Sequence, residues 1–133
     1  MSLRPHFPAL AAVLVALTGC VQPPTRPAAP VGLLDVAERP AEKALLAGMR
    51  AYDDAQYPQA EKSLQAALQA GLASPRDRAA AHKLLAFIFC TSNRASECEA
   101  QFRAALAADP AFALSKSESG HPLWGPVYQR VQR

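Results

Sequence analysis

Aromatic residues, histidines and excess charge are all scarce in this sequence. Aromatic residues make up 7% of the 133 residues, which argues against a large β core, whereas half of the residues are apolar and many of these are alanine. Because alanine has the highest helix propensity, the balance favours closely packed helices. The formal net charge of +3 gives no strong electrostatic footprint for nucleic acid. The composition predicts a small all-α domain and no nucleic-acid partner.

Recognisable catalytic motifs are missing as well. The sequence contains no glycine-rich phosphate loop, no nucleophile elbow and no pair of histidines one helical turn apart. His82 and His121 belong to no motif, and we expect both to have a role in packing or at the surface. We therefore predict a protein that is not an enzyme and that holds no cofactor and no metal ion.

The first 19 residues have the features of a signal peptide. Arg4 provides a basic start, residues 9–17 form a short apolar run, and two small residues precede Cys20. A transmembrane helix needs about 20 apolar residues, so this run is too short to span a bilayer. We expect residues 1–19 to be removed on export.

Residues 17–20, with the sequence Leu-Thr-Gly-Cys, resemble the lipobox of bacterial lipoproteins. The resemblance implies cleavage before Cys20 and acylation of Cys20, whose acyl chains would anchor the chain in a lipid bilayer. Val21 rather than aspartate follows the cysteine, and by the sorting pattern of such lipoproteins this implies the outer membrane of the cell envelope, facing the periplasm. The alternative is an ordinary secretory leader, which would leave Cys20 as an unpaired thiol.

Residues 20–40 are rich in proline and show almost no helical periodicity. Proline-rich segments favour an extended polyproline II conformation of about 3.1 Å per residue, so we interpret this segment as a tether. Its short apolar run at residues 32–36 either docks on the folded domain or belongs to a partner site. The folded domain is expected at residues 41–133.

Residues 41–108 contain an internal repeat with an offset of 38 residues. At this offset small residues match small ones and large residues match large ones. The matched pairs are Gly48 with Ala86, Ala60 with Cys98, Leu64 with Phe102, Ala67 with Ala105, and Leu68 with Leu106. The first unit predicts helices over 41 to about 55 and 58–70, and the second predicts helices over 78 to about 91 and 95–108.

This pattern of small residues resembles the tetratricopeptide repeat, which has a small residue midway along its first helix, small residues twice in its second helix and often a proline at its end. Pro110 closes the second unit, whereas the join at residues 71–75 is four residues longer than the usual period of about 34 residues allows. Gly48 and Ala60 would let two helix backbones approach within about 8–9 Å. The alternative is an unrelated alanine-rich four-helix bundle.

A further apolar stripe follows the second unit. Its members recur at three- and four-residue steps and are Leu123, Trp124, Val127, Tyr128 and Val131. The spacing predicts a helix from about Pro122 that caps the second repeat. Trp124 and Tyr128 are candidate site residues, either within this cap or as an exposed pair that contacts a partner.

Cys90 and Cys98 lie four residues on either side of Arg94, at the centre of the turn between the last two helices of the repeat. Matching heights on two antiparallel helices would bring their Cα atoms within about 5–6 Å, and an exported protein meets an oxidising compartment. We predict a disulfide that joins this hairpin. The alternative is a pair of buried free thiols.

In tetratricopeptide domains the first helix of each repeat lines a concave groove. The resemblance implies a partner-binding groove, suited to an extended or helical polypeptide, at Leu45, Met49, Tyr52, Lys83 and Phe87. In this groove Met49 and Phe87 would form neighbouring apolar contacts, and Lys83 would be available to an acidic group. The alternative is that these side chains belong to the core.

The order of two repeats, the cysteine pair, residues 109–112 and the Gly-His-Pro-Leu-Trp-Gly segment at residues 120–125 resembles the TssQ family of lipoproteins associated with type VI secretion. The resemblance implies a membrane-anchored protein-binding scaffold that is accessory to an envelope machine and binds another envelope or secretion-system protein. Two other interpretations stay open. One is a pilotin or outer-membrane assembly lipoprotein, and the other is a regulator of a cell-wall enzyme.

Overall fold

The computed structural model describes residues 32–133. The predicted signal peptide, Cys20 and most of the proline-rich tether lie outside the described residues. Every regular element in the described part is a helix and no strand occurs there, which confirms the all-α class. The helices are α1 (Leu33–Ala37), α2 (Pro40–Asp53), α3 (Tyr57–Ala70), α4 (Pro75–Thr91), α5 (Ala95–Ala108), α6 (Lys116–Ser119) and α7 (Gly125–Val131). None of these helices combines the length and the apolar character needed to cross a membrane.

The helices α2 and α3 pack against each other as a first hairpin. Pro40 opens α2, where its missing N–H costs no hydrogen bond. The helix ends at Asp53, two residues earlier than expected, because Ala55 adopts a left-handed conformation with a φ of 57°. Gly71, which ends α3, also adopts the left-handed conformation, with a φ of 85°. Its position after the helix predicts this, because glycine favours that conformation.

Small residues bring α2 and α3 close together. Gly48 of α2 lies against Leu64 of α3, and a β-carbon at position 48 would lie 2.7 Å from Leu64 Cγ. Ala60, Leu64 and Ala67 have no exposed surface at all. The core of the first hairpin therefore sets the large side chains of Leu45 and Leu64 among small ones.

The helices α4 and α5 form a second hairpin. Helix α4 begins at Pro75, three residues before the expected start at Arg78. The reason is an N-cap that the sequence analysis missed, because the Asp77 N–H donates to Ser74 Oγ at 3.2 Å and Pro75 fits the first turn. Asn93, with a φ of 64°, lies in the turn that leads into α5.

Arg94 joins the two hairpins. Its Nη1 lies 2.9 Å from Glu61 Oε2 of α3, and its guanidinium lies 4.0 Å from the centre of the Phe89 ring. Hydrogen bonds to Glu61 and to Glu97 raise the pKa of Arg94. Since these groups are partly exposed, we expect this contact to orient the hairpins more than to stabilise the fold.

The C-terminal segment forms two short helices rather than the single helix expected from about Pro122. Helix α6 begins with a capping box between Ser115 and Glu118. A turn follows, in which the Leu123 N–H donates to His121 Nδ1 at 3.2 Å, and α7 begins only at Gly125. Position 125 has no room for a side chain, because a β-carbon there would collide with the carbonyl oxygen of Ser119.

Five aromatic rings connect α4, α5 and the C-terminal segment, and we call them the aromatic cluster. Trp124 stacks on Phe87 with centroids 4.2 Å apart, and Phe87 meets Phe102 at 6.1 Å. Tyr128 of α7 lies 5.3 Å from Phe102 and 6.0 Å from Phe112. Contacts of this kind stabilise a fold beyond the burial of apolar area, so the cluster closes the end of a domain that is otherwise rich in alanine.

Candidate functional site

The five residues of the predicted groove do not form one open surface. Leu45 and Phe87 are only 6% and 4% exposed. Tyr52 and Lys83 are partly buried, and Met49 is the most open of the set at 40%. The two repeats thus contribute unequally to any surface that a partner could reach.

The C-terminal segment covers the part of the groove that α4 contributes. Trp124 lies on the ring of Phe87, and Lys83 Nζ lies 2.7 Å from Glu118 Oε1 of α6. Lys83 also lies 5.7 Å from the centre of the Phe87 ring. In this structure Phe87 is therefore not an open apolar contact, and Lys83 already has an acidic partner within the chain.

The pKa values of Glu118 and Tyr52 are both shifted. Partial burial raises the pKa of the Glu118 carboxyl, but hydrogen bonds from Lys83 and Ser115 outweigh burial and hold this pKa below its usual value. Partial burial raises the pKa of Tyr52, and Tyr57 and Glu118 raise it further. Tyr52 also packs edge-on against Tyr57, with centroids 5.6 Å apart.

Trp124 and Tyr128 are held inside the C-terminal segment. Trp124 donates from Nε1 to the Glu118 carbonyl at 2.8 Å, and the ring of His121 stacks on it at a centroid distance of 3.3 Å. Tyr128 is 3% exposed, and its hydroxyl accepts the Leu114 N–H at 3.3 Å. These contacts are those of a structural cap, whereas an exposed partner-binding pair would require the segment to open.

Cys90 and Cys98 form a disulfide in the structure, across the turn between α4 and α5. Their Cα atoms are 5.1 Å apart, within the range that the sequence spacing predicts. Cys98 is fully buried beside the core, and Cys90 is partly buried. The bond fixes the closed end of the second hairpin.

An open apolar cleft lies at the other end of the domain, and we call it the α1–α2 cleft. It has a volume of about 350 Å³ and lies among α1, α2 and the start of α4. Its lining residues are Leu33, Val36, Glu42, Leu45, Leu46, Met49 and Asp77. Two of these, Leu45 and Met49, belong to the predicted groove, and the apolar run at residues 32–36 supplies α1.

No family model, curated protein or solved structure matches this chain. The likeness to tetratricopeptide lipoproteins consequently depends on the residue patterns alone.

Three lining residues of the cleft were missed by the sequence analysis, namely Glu42, Leu46 and Asp77. A signal for Glu42 was present, since it precedes Leu45 by three residues and Met49 by seven, which places all three on one helical face. Asp77 could not be found this way, because α4 begins earlier than expected. Within residues 32–133 no group of three or more metal-ligating side chains comes together.

Proposed function

We propose that this chain is a membrane-anchored scaffold that binds another protein of the cell envelope. In this proposal acylated Cys20 provides the anchor, the proline-rich residues provide reach, and the helical hairpins provide the binding surface. Type VI secretion is the machine that the resemblance of the second repeat and the Trp-Gly segment indicates, and the protein would be an accessory component of it.

One observation carries the proposal. Leu33, Leu46 and Met49 are 87%, 39% and 40% exposed, and they line the same cleft. Scattered apolar residues are ordinary on a protein surface, but exposed apolar side chains gathered around a concave site are typical of a surface that another molecule covers. The α1–α2 cleft is accordingly the part of the domain best suited to bind a partner.

Equivalent positions in the two hairpins support a tetratricopeptide-like origin for this scaffold. Gly48 and Ala86 are both buried at the middle of the first helix of each hairpin, and Ala60 and Cys98 are both fully buried in the second. The proposal follows the family pattern in using the first helix of a repeat for binding. It differs in that only the first repeat is open.

Crosslinking in intact cells tests the proposal. A photo-reactive amino acid at Met49 of the lipidated chain should give a crosslink to one envelope protein, whereas the same amino acid at Lys62, which is exposed on α3, should not. Palmitate labelling of the chain should be lost in Cys20→Ala. Absence of any crosslink at Met49, at Leu46 and at Leu33 would refute a scaffold that uses this cleft, and absence of palmitate from the parent chain would refute the anchor.

A further inference from the structure

The side chain of Glu42 is largely buried and has no polar partner among the described residues. It is 7% exposed, and no hydrogen bond or ion pair joins its carboxylate to another residue within 32–133. No fully buried side-chain oxygen within residues 32–133 lacks a hydrogen-bond partner, so the unpaired Glu42 carboxylate keeps some accessible surface. Its position in the wall of the α1–α2 cleft means that a cation bound in the cleft would supply the missing partner.

Asp77 adds a second negative charge to the same cleft. It is partly buried at the start of α4, whereas Glu42 lies in the first turn of α2. No lysine, arginine or histidine lies among the lining residues. Both acids lie in the first turn of a helix, where the helix dipole offsets part of their charge. The cleft still combines an apolar surface with two carboxylates, and an occupant of complementary chemistry is apolar and basic.

The backbone of the cleft walls limits the conformation of the occupant. The apolar wall formed by Leu45, Leu46 and Met49 lies inside α2, where the backbone N–H and C=O groups of these residues are used within the helix. An extended peptide would bury its own backbone groups against these walls without hydrogen-bond partners, at a considerable cost in free energy. A helix satisfies its own backbone, so it enters such a cleft with side chains alone.

We infer that the α1–α2 cleft binds an amphipathic helix of a partner protein, and that a lysine or arginine of this helix pairs with Glu42 beside an apolar stripe that packs on Leu45, Leu46 and Met49. The inference rests on the proposed scaffold function and assigns the chemistry of its partner. Met49 suits this role because its flexible thioether adapts to differently shaped side chains.

A pair of synthetic helical peptides tests the inference. Both peptides have sixteen residues and the same leucine stripe, and one carries lysines beside the stripe where the other carries glutamates. The lipidated chain is held in phosphatidylcholine nanodiscs, and empty nanodiscs report binding to lipid. Fluorescence anisotropy should show that the lysine peptide binds the chain at least about tenfold more tightly than the glutamate peptide, and more tightly than it binds empty nanodiscs.

Variants then locate the binding. Glu42→Gln should weaken binding of the lysine peptide about tenfold and reduce the preference between the two peptides, because Asp77 remains. Asp53→Asn, at an exposed acid of the same helix, should change neither. Met49→Gln should weaken the binding of both peptides, because it changes the apolar surface and leaves the charges in place. Circular dichroism checks that each variant keeps its helices, and Met49 is exposed enough for its replacement to be tolerated.

Three outcomes would overturn the inference. The first is equal affinity for the two peptides, the second is an affinity that Glu42→Gln leaves unchanged, and the third is a dimer of this chain that Met49→Gln dissociates in sedimentation experiments. If one of these occurs while the Met49 crosslink to an envelope protein persists in cells, the scaffold function stands and only the basic helix is refuted.

Discussion

Gly48 of α2 lies in direct contact with Leu64 of α3. A β-carbon at position 48 would lie 2.7 Å from Leu64 Cγ, 2.8 Å from its Cδ2 and 3.1 Å from its backbone nitrogen. Leu64 has no exposed surface, so its side chain has little room to move aside. The separation of the two helices in the first hairpin is therefore set by a missing side chain.

Replacing Gly48 with alanine should destabilise the domain although it favours the helix. Alanine contributes about 1 kcal/mol of helix propensity, but overpacking against a buried leucine costs about 1–3 kcal/mol. We expect a net loss of up to about 2 kcal/mol in the free energy of unfolding, measured by urea titration with circular dichroism. Gly120→Ala is the control. A β-carbon at position 120 would lie 3.6 Å from the carbonyl oxygen of Lys116, so this substitution should be tolerated. A Gly48→Ala protein as stable as the parent would show that α2 can move.

Loss of the disulfide should lower the free energy of unfolding by more than the loss of a single side-chain contact would. The bond closes a loop with a sequence separation of 8, for which the chain-entropy model predicts about 2–3 kcal/mol. Reduction of the parent should lower its thermal unfolding temperature to that of the Cys90→Ala/Cys98→Ala double variant. Reductant should have no effect on the double variant. Titration of two free thiols in unreduced protein from the periplasm would contradict this prediction.

The ion pair of Glu118 with Lys83 should make stability depend on pH in the acid range. The folded pKa of Glu118 is below its unfolded value of about 4.3, so its contribution is present above that value and is lost as the pH falls through the folded pKa. Glu118→Gln should therefore be less stable than the parent at pH 6, by up to about 1 kcal/mol, and the difference should vanish near pH 2.

The matched control for this pair is Glu38→Gln, at an exposed acid that precedes α2. Urea unfolding at a series of pH values should give nearly parallel stability curves for this control and the parent protein. A Glu118→Gln difference that persists unchanged at pH 2 would mean that the carboxylate charge is not what holds α6 on α4.

The tryptophan fluorescence should report the docking of the C-terminal segment, since Trp124 is the sole tryptophan. Phe87→Leu removes the ring on which Trp124 stacks, so we expect emission at longer wavelength and a loss of about 1–2 kcal/mol in stability. Phe112→Leu alters a ring that contacts Tyr128 instead, and should leave the emission unchanged. Equal emission from both variants would show that Trp124 does not depend on Phe87.

The helical hairpins were predictable because several local signals agree. Small residues recur at one offset, and Gly71 ends a helix as its sequence position indicates. The repeat pattern predicts a start of α4 at Arg78, three residues too late, although Ser74 and Pro75 together form a standard N-terminal signal. The apolar spacing after Pro122 predicts a helix and leaves open whether Tyr128 is buried or exposed, and it could not reveal the turn at residues 121–124 that delays α7.

The exposed part of the predicted groove was harder to predict because exposure is a tertiary property. Met49 and Phe87 occupy equivalent positions of the repeat, yet one is open and the other lies under Trp124. Periodicity states which residues share a helical face and does not state what covers that face. The apolar run at residues 32–36 was recognised, but only the structure shows that its helix lines a cleft with α2.

Aromatic side chains that contact one another in sequence limit the substitutions that each position can accept during evolution. Phe87 contacts both Trp124 and Phe102, and Phe102 contacts Tyr128 as well. Loss of the indole would expose the face of Phe87 to water, and a smaller Phe102 would leave holes beside two neighbours at once. In descendants of this chain these positions should be inherited as sets, so that a lineage without the tryptophan also differs at position 87.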